Sequence, residues 1–188
     1  MTSDGAGDEA SAKSVSGERR GESRASRKSR SVSIRIIGLG NGMRGDDAVG
    51  LLAAIRLQER VGNHVDVIEA ESVGVELLDM MKGAETVLLI DAVCSGQVPG
   101  TIHRLDASSR PVAPGLFPRS THAIGVGEAL ELARTLGVLP SKVIVYGVEA
   151  ERIDIGHLLS PAVDQALHKV VELVLREIET NVCTNSIS

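Results

Sequence analysis

From residue 33 onward the apolar positions switch repeatedly between two periods. Ser33–Gly38 is a short, strongly apolar run of strand type. Val49–Glu59 then places Val49, Leu52, Ala53 and Ile55 at helical spacing, with charge opposite. A glycine-rich turn joins the two. A second strand, Val65–Ala70, follows the Gly62-Asn63 turn, and a short helix over Gly74–Met81 ends near Gly83. Thr86–Val93 is apolar on both faces, which predicts a central parallel strand; beyond Thr86 its single polar residue is Asp91, near the carboxyl end. Thr101–Leu105 predicts a further strand suited to an edge. A loop containing Pro111, Pro114 and Pro118 leads to Ser120-Thr121-His122, after which Ala123–Leu136 has the spacing of an amphipathic helix closed by Gly137. Lys142–Glu149 is another β run, and Ser160-Pro161 opens a last helix from Ala162 to about Glu177, with proline at the favoured first position. Strands alternating with helices in this way predict a doubly wound α/β domain: a three-layer α/β/α sandwich around a mostly parallel, twisted sheet of roughly five strands. In such sheets ligands gather beyond the carboxyl ends of the strands.

Composition narrows the picture. The chain has 188 residues, enough for one well-buried domain of ordinary size. Tyr146 and Phe117 are its only aromatics. The core must therefore be built from Val, Ile, Leu and Ala, and base stacking on aromatic platforms is excluded, so no nucleic-acid partner is expected. Residues 1–31 form a separate block of Ser, Gly, Arg and Glu with too little apolar surface to repay ordering, and are expected to be disordered. This block carries seven Lys/Arg and five Asp/Glu, which leaves 13 basic against 20 acidic residues and makes the folded part acidic. Residues 32–179 are expected to form the domain and 180–188 a flexible tail. No apolar run of export or membrane-spanning length is present, and Cys94 and Cys183 stand far apart, without the spacing of a structural zinc site. A cytoplasmic, monomeric protein is expected from these features, with no membrane partner.

The candidate chemistry lies in Ile34–Gly50. Glycines 38, 40 and 42 permit close backbone approach, and Asp46 and Asp47 follow at a helix start. A dinucleotide fingerprint requires glycine where Met43 stands, and the two carboxylates would repel a pyrophosphate, so no nucleotide is expected. Asp47, Asp91 and His122 all fall where one crevice can gather them, a mixed oxygen and nitrogen set suited to a borderline divalent ion such as nickel or zinc. Each has a structural alternative. One of the adjacent carboxylates is expected to cap the helix, and that role is assigned to Asp46. Asp91 equally suits a strand-end turn bonded to backbone, and His122 a surface position at a helix start. Histidines 64, 103, 157 and 168 are expected in solvent, and Cys94 as a small, half-buried residue.

An ordered set of motifs narrows the function. Gly38-Leu39-Gly40-Asn41 with Asp46-Asp47-Ala48-Val49-Gly50, then Leu89–Val93, Ser120-x-His122-x-x-Gly125, Gly147-Val148-Glu149 and Gly156-x-Leu158-Leu159-Ser160-Pro161 resemble, in that order, the hydrogenase maturation endopeptidases. The resemblance spans about residues 33–178. It departs at Ala48, where many members have glycine, and at Ala123, where a subset has aspartate. The resemblance implies a five-stranded sheet between helices and a peptidase of aspartic type that trims the C-terminus of a nickel-loaded hydrogenase large-subunit precursor. It implies that Asp47, Asp91 and His122 engage nickel carried by the substrate, with Asp47 and Asp91 catalytic. The turn N–H groups at Gly40, Asn41 and Gly42 are expected to hold substrate. Water is then activated by a carboxylate or by the ion. A non-catalytic nickel-recognising chaperone of the same fold is the alternative. No Ser-His-Asp or Cys-His pair and no H-E-x-x-H helix is evident.

Overall fold

The computed structural model describes residues 32–71, 74–112 and 125–185. Among them the apolar runs become strands β1 (Val32–Leu39), β2 (Val65–Ala70), β3 (Ala84–Val93), β4 (Ile102–Asp106) and β5 (Lys142–Glu149). These form one sheet in the order β2-β1-β3-β5-β4. The pairs β1–β2, β1–β3 and β3–β5 are parallel, and β4 runs antiparallel at the edge beside β5. Helices α1 (Val49–Gln58), α2 (Glu76–Met81), α3 (Val126–Thr135) and α4 (Pro161–Asn185) cover it.

Two cores separate the layers, because successive strand side chains point to opposite faces. Ile34, Ile36, Leu88, Ile90, Ile144 and Tyr146 pack with residues of α1 and α4. Ile37, Leu39, Val87, Leu89, Val143 and Val145 pack with residues of α2 and α3. This is the predicted mostly parallel α/β/α sandwich. From β1 the chain turns first to β2 on one side and then returns to β3 on the other, so the winding reverses between β1 and β3.

Glycine decides how closely α1 approaches that point. A Cβ on Gly50 would run into the carbonyl oxygens of Leu39 and Ile90, and one on Gly38 into the Gly50 carbonyl. The first turn of α1 thus lies directly on the β1 and β3 backbones. Gly50→Ala is expected to destabilise the domain by about 1–3 kcal/mol through overpacking, read as a lowered denaturant midpoint.

On the α4 side, Glu177 accepts bonds from Arg104 Nε (2.9 Å), Lys142 Nζ (3.0 Å) and the Tyr146 hydroxyl (3.0 Å). Burial alone would raise its pKa, but the bonds from Arg104, Lys142 and Tyr146 outweigh burial and hold it down to about 2. The folded state therefore binds fewer protons here than the unfolded chain. The resulting stabilisation is complete above the ordinary Glu value of 4.5 and is lost as pH falls through about 2. Melting curves of wild type and Glu177→Gln are expected to differ most near pH 6 and to converge toward pH 2.

Several boundaries differ from expectation. α4 continues to Asn185, so residues 180–185 are helical rather than part of a flexible tail; buried Asn181 accepts a bond from Lys142 Nζ at 2.7 Å. α1 turns Ala53, Ala54 and Leu57 inward, and Ile55, expected on the apolar face, is exposed. The described part of α3 begins at Val126. The expectation of disorder over residues 1–31 lies outside the described residues, as does Phe117. No helix among the described residues is long and apolar enough to cross a membrane.

Candidate active site at the carboxyl edge of the sheet

The winding reverses between β1 and β3, the place where doubly wound sheets commonly hold ligands, and the chain sets a carboxylate near the carboxyl end of each of these strands. Asp47 lies in the single 3-10 turn Gly45–Ala48 that bridges β1 and α1, and Asp91 is at the end of β3. Both sit above a close helix–sheet contact that only glycine allows. Asp91 is buried, and one of its oxygens accepts the Ala92 N–H at 2.9 Å. Burial and then the nearby charge of Asp47 push its pKa up to about 8, against a smaller opposing effect of that N–H bond. Asp47 is half-buried. Burial raises its pKa too, but Arg44 and the Asn41 N–H partly offset the rise.

Asp91 therefore holds a proton at neutral pH, beside a more exposed Asp47. Among the described residues no basic side chain forms an ion pair with either carboxylate. A buried acid without a cationic partner keeps a proton or takes a metal ion. Two carboxylates supply oxygen ligands that suit a divalent ion, and an imidazole would bring the set into the borderline range of nickel. His122 lies outside the described residues. Among those described, no three His, Cys, Asp or Glu side chains gather to hold an ion. The segment bearing His122 leads into α3, whose far end is tied by Arg134 to the carbonyls of Ala107, Ser108 and Arg110. Those carbonyls follow β4 at the amino edge of the parallel strands. The start of α3 accordingly faces the carboxyl edge, on the Asp91 side of the sheet.

Asp46 does not cap the helix, contrary to expectation. Neither the 3-10 turn nor α1 has a side-chain cap. Fully buried, Asp46 accepts bonds from the N–H groups of Glu151 (2.8 Å), Arg152 (3.0 Å) and Ser160 (2.6 Å), and from the Ser160 hydroxyl (2.9 Å). It thereby fastens the segment between β5 and α4 to the turn after β1. No local pattern marks that role, since the partners lie more than 100 residues away.

Glu149 performs a matching task at the end of β5 and was not among the predicted site residues. It accepts bonds from the Ser95 hydroxyl (2.8 Å), the N–H groups of Gly96 (2.8 Å) and Gln97 (3.1 Å), and His103 Nε2 (3.3 Å). Burial would raise its pKa, yet the bonds from Ser95, Gly96 and His103 hold it below the usual range. His103 is thus half-buried and partnered rather than solvated, while histidines 64, 157 and 168 are exposed as expected. The Gly147-Val148-Glu149 motif was the available signal.

The glycine turn departs from expectation in two ways. A Cβ on Gly40, whose φ is 140°, would strike the Asp47 carbonyl, but Gly42 meets nothing within 4 Å. The N–H groups of Gly40, Asn41 and Met43 already bond to Ala70, Asp47 and the Asn41 side chain. Of the three proposed substrate-binding residues, Gly42 alone has an N–H that no described acceptor engages. Cys94 is exposed rather than half-buried. Partial desolvation, then Glu149, Asp47 and Asp91, raise its pKa, so it stays a thiol and is poorly suited to nucleophilic attack.

Comparison with known proteins agrees with this fold. A family model described as hydrogenase maturation protease (HycI) matches residues 50–177. The hydrogenase expression/formation protein HupD of Thiocapsa roseopersicina is 30% identical over 145 residues, covering 76% of this chain and 66% of that protein, just under two thirds. The hydrogenase 2 maturation protease of Escherichia coli is 29% identical over 149 residues, covering 77% of this chain and 89% of the relative. An endopeptidase from E. coli solved in solution superposes with a TM-score of 0.67 at 28% identity, over 77% of this chain and 90% of that one. At the level of fold alone, the hydrogenase maturating endopeptidase HybD from E. coli gives a TM-score of 0.64 at 24% identity, over 79% and 93%. A family-model match over residues 50–177, which takes in four of the five strands, together with the relatives above, places the chain in the hydrogenase maturation protease family, as a peptidase.

Proposed function

We propose that this peptidase removes the C-terminal extension of a hydrogenase large-subunit precursor, and that it reads the nickel ion already seated in that precursor. The observation that carries the reading is the acidic pair: buried Asp91 and half-buried Asp47 at the switch point, with no ion pair to either among the described residues. The ion is part of the substrate. Asp47, Asp91 and His122 take up coordination positions left open on it, and Asp91 releases its proton as the positive charge arrives. Engagement of the ion fixes the neighbouring peptide bond in register, so the entropy of positioning is met by the metal contact.

Hydrolysis then needs an activated water and a polarised carbonyl. Nickel lowers the pKa of a water beside it, and a carboxylate of the pair accepts the proton. The Gly42 N–H, which no described acceptor engages, is available to the developing oxyanion. An unloaded precursor offers the acidic pair no cation and is a poor substrate.

The test is to incubate nickel-loaded precursor with wild type and with Asp47→Asn, Asp91→Asn and His122→Ala, following the shortened product by gel shift. Unchanged processing by all three variants would remove these residues from the site. Stoichiometric binding by the wild type without cleavage would favour the non-catalytic chaperone.

A further inference from the structure

Three large apolar side chains stand in solvent beside the acidic crevice: Met43 is 70% exposed, Ile155 76% and Leu158 88%. They come from two segments about 110 residues apart in sequence, the turn after β1 and the segment between β5 and α4. Hydrogen bonds hold those segments together. Gly156 N–H donates to the Met43 carbonyl at 2.9 Å, Asp46 N–H to the Arg152 carbonyl at 3.1 Å, and the Asp46 carboxylate takes the four bonds described above. Leu159 packs toward the core while its neighbour Leu158 turns away from it. The backbones that carry these exposed apolar side chains are thus fixed to one another, close to the acidic pair. Exposing such groups gives no folding benefit, and clustered exposed apolar residues mark interaction sites.

We propose that Met43, Ile155 and Leu158 form a preorganised docking surface for an apolar stretch of the precursor polypeptide beside the bond to be cut. The inference rests on the processing activity proposed above and names what recognises the protein part of the substrate. A cation held by carboxylates identifies a metal but not the chain that carries it. The adjoining surface supplies that second check. Its flanking charges, Arg44, Glu151, Arg152 and Asp154, cancel, so it selects by apolar contact rather than by net charge. Continuity with the crevice limits the occupant to something present while the metal is engaged. Because the surface is held by bonds that also shape the crevice wall, docking there orders little that was loose beforehand.

The experiment compares wild type with a combined Met43→Ser, Ile155→Ser, Leu158→Ser variant on nickel-loaded precursor. A Leu136→Ser, Val138→Ser protein serves as control; these residues are also exposed but lie beyond the end of α3, at the opposite edge of the sheet. The expected result is a KM raised roughly tenfold or more with kcat little changed, and wild-type kinetics in the control. Wild-type kinetics in the combined variant would overturn the docking surface while leaving the proposed activity standing. A fall in kcat at unchanged KM would also overturn it, by placing these residues with the catalytic machinery. Loss of self-association in the ultracentrifuge at unchanged KM would assign the surface to a second copy of the chain, again against the inference. Absence of processing by the wild type defeats the functional reading itself, and the inference with it.

Discussion

Asp91→Asn is expected to reduce precursor processing by about 10²–10³-fold or more without harming the fold. The side chain is buried, its carboxyl bonds the Ala92 N–H at 2.9 Å, and asparagine keeps the shape and that acceptor. What the substitution removes is the ability to become an anion when a cation arrives. In the free protein the same acid is a burden, since it is desolvated beside Asp47 with no basic partner among the described residues. The melting temperature of Asp91→Asn should therefore equal or exceed that of the wild type, whereas an ordinary structural residue would lose stability and activity together. Calorimetry beside the gel assay separates the two cases. Full processing by a stable Asp91→Asn protein would remove this residue from the mechanism.

Asp46→Ala is expected to act in the opposite way, costing about 3–5 kcal/mol of stability. Four bonds end on that buried carboxylate, and the substitution leaves the N–H groups of Glu151, Arg152 and Ser160 without their acceptor. Hydrogen bonds to a charged acceptor contribute about 1.5–3 kcal/mol each, and unmet buried donors add their own desolvation cost. For a domain of this size the melting temperature falls by roughly 10 °C. The substitution also frees the segment that carries Ile155 and Leu158, so KM is expected to rise in whatever fraction remains folded. An Asp46→Ala protein that melts with the wild type would show that these bonds do not hold the segment. The pair Asp46 and Asp47 thus divides into unlike neighbours, one buried and fastening a distant segment, the other half-buried near the strand ends.

The sheet was legible in the chain because burial on both faces leaves a long apolar run, and Thr86–Val93 could be little else than a central strand. Thr101–Leu105 was expected at an edge, and the structure puts Ile102–Asp106 there. The limits were equally physical. α4 outran its expected end because Asn181, polar by type, is buried by its contact with Lys142 and Glu177 from within the same face of the fold. Ile55 was assigned to the apolar face of α1, but Gly50, Ala53 and Ala54 are the residues small enough to meet the sheet.

The acidic pair was the part of the candidate site best marked in sequence. Asp47 follows β1 and Asp91 stands near the carboxyl end of β3, and local pattern suffices to place both at one edge. The raised pKa of Asp91 was not readable, because it depends on how deeply that side chain is buried and on the charge of Asp47 near it. The roles of Asp46 and Glu149 were hidden for the same reason: a carboxylate that fastens loops looks, along the chain, like one that caps a helix or binds an ion.

By itself the sequence determined which segments are strands and helices, that they alternate, and which residue types stand at the strand ends, since these follow from periodicity and turn chemistry over a few residues. Tertiary structure alone decided that Asp46 and Glu149 fasten distant segments while Asp91 is buried without a basic partner among the described residues, and it brought the backbone of Met43 against that of Gly156. Those outcomes rest on desolvation and on bonds between segments far apart in the chain, quantities that come into being only when the sheet has closed around them.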